Sequence, residues 1–93
     1  MAKQPLVVTT AHRGVFFGYG EPTESKTITL EDARMCIYWP QSNKGVVGLA
    51  SDGPHNGARV GPRAPSVLLQ DITAIFECTP EAATAWEKAP WHG

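Results

Sequence analysis

Apolar and polar residues alternate through most of the chain. Residues 6–10 form a β-branched run and residues 15–19 an aromatic one, with Ala11-His12-Arg13-Gly14 between them. Such side chains suit a pleated, half-buried surface, which predicts two strands, or one long strand bent at Gly14. Gly18, Gly20 and Pro22 then open a polar loop over residues 21–26. Thr27-Ile28-Thr29-Leu30 has the period of a half-buried strand, Glu31-Asp32 predicts a turn, and residues 33–39 alternate again. On that second strand Ala33, Met35, Ile37 and Trp39 share one face, and Arg34, Cys36 and Tyr38 the other. Local propensity also allows a helix through residues 30–35. The strand is preferred, because Cys36-Ile37-Tyr38-Trp39 continues a helix poorly and Pro40 stops it.

Residues 41–45, polar and ending in glycine, predict a hairpin-like connection, with residues 46–50 returning as a short strand. Residues 51–65 hold Gly53, Gly57 and Gly61 with Pro54, Pro62 and Pro65, a density that nearly excludes regular structure. Residues 66–69 and 72–78 predict two strands around Gln70-Asp71, or one strand with a bulge. Thr79-Pro80-Glu81 is a helix start. The threonine can accept from an orphan amide, proline fits the first turn, and the carboxylate favours the positive end of the dipole. The helix should run to about Lys88, held mainly by Trp86, with Pro90 ending it. The expected fold is a single α+β domain over residues 1–93. Five or six mainly antiparallel strands form a curved sheet or small barrel, and one short C-terminal helix packs across a face or end.

A chain of 93 residues buries only about 60 % of its unfolded surface, so the core is thin and a homo-oligomer is expected. Trp91, after Pro90, is expected to dock on a neighbouring subunit. Eight basic and nine acidic residues give a net charge of -1, which provides no global attraction for nucleic acid or an anionic membrane; any anion site must be local. No apolar run approaches the roughly 18 residues of a membrane span and no secretory leader is apparent, so the expected compartment is the cytoplasm. Cys36 and Cys78 each sit in an apolar stretch, outside any metal-ligand spacing, and read as reduced core thiols; a disulfide stays open if their strands are neighbours.

The glycine-rich loop is the most suggestive segment chemically. Residues 55–63 contain His55, Arg59 and Arg63 and no acid. Glycines let backbone N–H groups approach an anion, and the guanidinium fork matches phosphate or carboxylate oxygens. The bland alternative is a surface loop whose glycines and prolines serve turn geometry. Arg13 lies at the expected strand bend, and Arg34 stands near Tyr38, where arginine can grip an anion and tyrosine can stack on a base; pairing with surface carboxylates is the commoner fate of such arginines. No nucleophile, acid–base pair or metal-ligand spacing is framed by a signature, so neither an enzyme nor a cofactor is expected.

His12-Arg13-Gly14-Val15-Phe16-Phe17-Gly18, residues 33–39, Gly48-Leu49-Ala50 with Gly53-Pro54, and residues 73–78 through Trp86 resemble a family of small proteins of unknown function encoded by bacteriophages and prophages. The resemblance implies a protein made in an infected or lysogenic bacterium, and it carries no catalytic residues over. In that setting the expected role is non-catalytic binding of a small anionic, nucleotide-like ligand, such as a host defence signal. Arg13, Arg34, Tyr38, His55, Arg59 and Arg63 are the candidate contacts. The alternative is an interaction module, either a host-factor inhibitor or a virion component, which would expose an apolar patch near Trp91 or along residues 28–30.

Overall fold

The computed structural model describes residues 3–11, 14–39, 45–54 and 58–89. Among the described residues six strands and two helices follow in order: β1 (Gln4–Thr10), β2 (Val15–Gly20), β3 (Ile28–Tyr38), α1 (Gly45–Ser51), β4 (Arg59–Val60), β5 (Ala64–Leu69), β6 (Ile72–Glu77) and α2 (Pro80–Lys88). Every strand pairing is antiparallel. The sheet runs β4-β3-β2-β1-β6, and β5 pairs the N-terminal half of β3 on the edge whose C-terminal half holds β4.

The two ends of this sheet are joined by only two residues, Gln70-Asp71, between β5 and β6. Asp71 takes a left-handed φ of 55° there and accepts from the Ala11 amide at 2.9 Å. So short a link between opposite edges requires a strongly coiled sheet. Leu69 and Val67 from one edge meet Ile72 and Ile75 from the other, around Leu6, Val8, Ile28, Leu30 and Ala33. That is the core of the concave face. At Gly18, a Cβ would sit 2.7 Å from the Leu30 Cβ, so the absence of a side chain lets the sheet fold inward. β5 and β6 do not pair with one another, and the sheet stays open at its seam. The sheet is therefore curved and the barrel alternative is not realised.

The convex face carries the second core, where Val7, Val15, Phe17, Cys36 and Val60 pack beneath Leu49, Ala50, Ala83 and Trp86 of the two helices. Trp86 is wholly buried, stacks on Phe17 at 5.2 Å and donates Nε1–H to the Leu49 carbonyl at 3.0 Å. The start of α2 matches expectation: Thr79 Oγ1 accepts from the Ala82 amide at 3.0 Å, and Pro80 opens the first turn. The same hydroxyl donates to the Ser51 carbonyl at 2.7 Å, which ties α2 to the end of α1.

The expected returning strand at residues 46–50 is instead the helix α1. Its Val-Val composition suits a strand, but the segment lies over the convex face, where a helix turns Leu49 and Ala50 into the core. Gly53, at φ 82°, ends this turn with its amide on the Gly48 carbonyl, and a Cβ there would stand 2.6 Å from the Ala85 Cβ. The hairpin expected over residues 41–45 falls largely outside the described residues. Regular structure also enters the glycine- and proline-rich segment, as β4 and the start of β5.

The largest departure from expectation concerns β3. The strand is continuous through Glu31-Asp32, where a turn was expected. Asp32 adopts φ 50°, and the β2–β3 register shifts between Phe17 and Tyr19, so one extra residue is accommodated as a bulge. A one-residue shift exchanges the faces of everything that follows. Arg34 and Cys36 consequently point into the helix-covered core at 5 % and 3 % exposure, while Met35 and Ile37, on the opposite face, are 42 % and 55 % exposed.

Candidate binding groove

The bulge places the C-terminal half of β3 so that its apolar residues face outward beside β4. Val60 of β4 pairs Cys36 and is buried in the convex core, which anchors the short strand. The register then shifts by one residue between Cys36 and Tyr38, and this irregularity brings Arg59 across from Tyr38. Among the described residues, Ile37, Tyr38 and Arg59 line a shallow groove of about 410 Å³. Tyr38 is 53 % exposed, and Met35 lies two residues before Ile37 on the same strand. An aromatic face, a guanidinium and an aliphatic floor thus share one open site. No carboxylate occurs in residues 33–39 or 58–70 to neutralise it.

Arg34 and Arg63 form a second basic pair at the end of α2. Arg34 donates Nε–H to the Gly61 carbonyl at 2.9 Å and Nη1–H to the carbonyls of Trp86 and Ala89 at 2.7 and 2.6 Å. The guanidinium sits where the last-turn carbonyls lack intrahelical partners, and it complements the negative end of the helix dipole. Burial, and then the neighbouring charge of Arg63, hold the Arg34 pKa below its ordinary value. Arg63 reaches the Glu87 carbonyl at 3.4 Å from the exposed side. Glu87 also accepts from the Tyr19 hydroxyl, whose pKa is raised to about 12 by burial and then by that bond.

The candidate residues therefore separate. Tyr38 and Arg59 come together in the groove. Arg34 and Arg63 come together at the helix end, where Arg34 bonds only main-chain carbonyls and fixes the Gly61 segment that follows Arg59. Arg13 and His55 lie outside the described residues, as does Trp91. Sequence reading missed Met35 and Ile37 as surface residues, and the available signal was Asp32, a residue type that tolerates left-handed backbone. The apolar patch expected along residues 28–30 is absent, since Ile28 and Leu30 are buried on the concave face.

Both cysteines are free thiols; β1 and β2 separate their strands, and burial pushes Cys36 up to about 11 and Cys78 up to about 12. Among the described residues no three His, Cys, Asp or Glu side chains gather to hold a metal, and no buried side-chain polar atom lacks a partner. No helix among them is long and apolar enough to cross a membrane.

The family model described as Domain of unknown function (DUF6948) matches residues 3–86, and the chain belongs to that family. No curated protein and no solved structure matches it.

Proposed function

We propose that this member of the family is a non-catalytic binding protein whose Tyr38–Arg59 groove takes a small anionic, nucleotide-like ligand. The observation that carries the reading is the direct cross-strand pairing of Tyr38 with Arg59 over a groove of about 410 Å³. That volume falls in the range of small-molecule sites, roughly 300–1,000 Å³. A base stacked on an exposed tyrosine gains about 1–3 kcal/mol, and a phosphate on an arginine gains charge-assisted hydrogen bonds. Arg34 acts in this reading as a positioning residue, through its bond to Gly61. The phage or prophage setting is supported by the motif resemblance, and there the ligand would be a host defence signal held out of circulation.

A second reading, a protein-interaction surface, is favoured by the exposure of Met35, Ile37 and Tyr38 on one strand end beside an arginine. Tyrosine, arginine and methionine are enriched in such interfaces. Calorimetric titration with cyclic di- and trinucleotides and with signalling ADP-ribose derivatives decides between them. Heat that Tyr38→Ala and Arg59→Ala each reduce at least tenfold in affinity supports the first reading. No heat with any of these compounds removes it and leaves the second.

A further inference from the structure

β6 is a terminal strand of the sheet and, among the described residues, has a strand neighbour on one side only. Its hydrogen-bonding parity follows from two bonds. The Cys78 amide donates to the Pro5 carbonyl at 3.1 Å, and the Thr10 amide to the Gly14 carbonyl at 3.0 Å. In an antiparallel pair, bonded and non-bonded positions alternate. Thr10, Val8 and Leu6 therefore direct their main-chain groups to β2, while Thr9 and Val7 direct theirs to Ala74 and Phe76. By the same alternation the N–H and C=O of Ile75 and Glu77 point away from β1, to the open edge. Nearer the seam, the Ile72 amide is already engaged by the Lys26 carbonyl at 3.0 Å.

The opposite edge is made of β4, only two residues long, and of β5, which carries Pro65, a common device against strand addition. β6 reads Ile-Thr-Ala-Ile-Phe-Glu, with no proline, glycine or lysine to discourage pairing. Ala74, Ile75 and Phe76 are each only half-buried by their own chain.

We propose that β6 is a pairing edge for a second copy of this chain, joined antiparallel about a two-fold axis at Phe76. In that register Ile75 of each copy faces Glu77 of the other. The two free residues on each side satisfy one another in four N–H···O bonds, and the two Phe76 side chains meet across the axis. A two-fold axis at Ile75 would instead carry Glu77 opposite Thr73, beside the Ile72–Lys26 bond. The Phe76 register leaves that bond intact and uses the edge groups of Ile75 and Glu77 in both copies. One strand pair buries less than the roughly 1,200 Å² of a stable complex, so the dimer is concentration-dependent. This inference is independent of the groove, which lies on β3 and β4.

Sedimentation velocity on the full chain, from about 5 µM to about 500 µM, tests it. The weight-average mass should rise from 10.0 kDa toward twice that value. Ile75→Pro, which deletes an edge N–H that has no partner among the described residues, should hold the mass at monomer with the circular dichroism unchanged. Leu68→Lys on β5 should dimerise like the parent. Should the proline variant fail to fold, amide hydrogen exchange of the parent decides instead. Ile75 and Glu77 should slow at least fivefold between the dilute and concentrated samples. A parent that stays monomeric throughout, a proline variant that still dimerises, or exchange at those two amides indifferent to concentration overturns the proposal.

Discussion

Substituting Arg34 by glutamine removes a buried cation that serves three carbonyls, those of Gly61, Trp86 and Ala89. A hydrogen bond to a charged group contributes about 1.5–3 kcal/mol net, and a buried acceptor left without a partner costs a similar amount. The three bonds share one side chain and do not add, and glutamine can recover one of them. The expected loss is therefore about 3–4 kcal/mol, a large part of the 5–15 kcal/mol typical of a domain. At this chain length the loss corresponds to a fall in Tm on the order of 20 °C. Urea unfolding followed by tryptophan fluorescence measures it, in about 0.1 M and about 1 M salt. Bonds to buried carbonyls are weakly screened, so the loss should be nearly equal at both. Arg34→Lys, which keeps the charge without the planar fork, should lose about half as much. A loss below about 1 kcal/mol, or one that vanishes at high salt, is the signature of an exposed ion-pairing arginine and would refute the tie that Arg34 makes between the Gly61 segment and the end of α2.

Asp32→Gly should be neutral or stabilise by up to about 1 kcal/mol in urea unfolding, because glycine accepts the φ of 50° without strain. Thr79→Ala, which loses both the cap on Ala82 and the bond to Ser51, should destabilise by about 1–2 kcal/mol in urea. Folded-state pKa values of about 11 for Cys36 and about 12 for Cys78 and Tyr19 lie above their ordinary values of 9.0 and 10.0. The native state therefore holds these protons more tightly. The stability they contribute is complete below about pH 9 and is lost as pH rises through 11–12. The urea midpoint should be level from pH 7 to 9 and fall beyond, less steeply in a Cys36→Ala/Cys78→Ala variant; a midpoint constant to pH 11 would contradict this.

What the sequence revealed was local. Thr79-Pro80-Glu81 carries the start of α2 within three residues, and no distant contact competes with it. The runs at β1, β2 and β6 have compositions that suit only strands. β3 was recognisable as a strand, and the alternation from Ala33, with Met35 and Ile37 opposite Arg34 and Cys36, holds; which of the two faces the helices cover was not legible, because the polar Arg34 lies on the covered one. The shift at Asp32 depends on its register with Gly18 and Tyr19, a tertiary fact. α1 was hidden by Val46 and Val47, whose β preference is overridden where the convex face needs a helix. The same limit applied to the groove. Tyr38 and Arg59 were each chosen for their chemistry, but their pairing rests on β4, two residues between glycine- and proline-rich flanks. Arg34 was chosen for its charge, and its three carbonyl partners come from elements far away in sequence.

Backbone amide NMR spectra recorded during titration with a cyclic dinucleotide test the central claim most directly, since they report where a ligand sits as well as whether it binds. The account predicts saturable shifts concentrated at Ile37, Tyr38, Arg59 and Val60, absent in Arg59→Ala and with the β1 and β6 signals unmoved. Saturable shifts centred on any other surface, with the Tyr38 and Arg59 signals still, would contradict it.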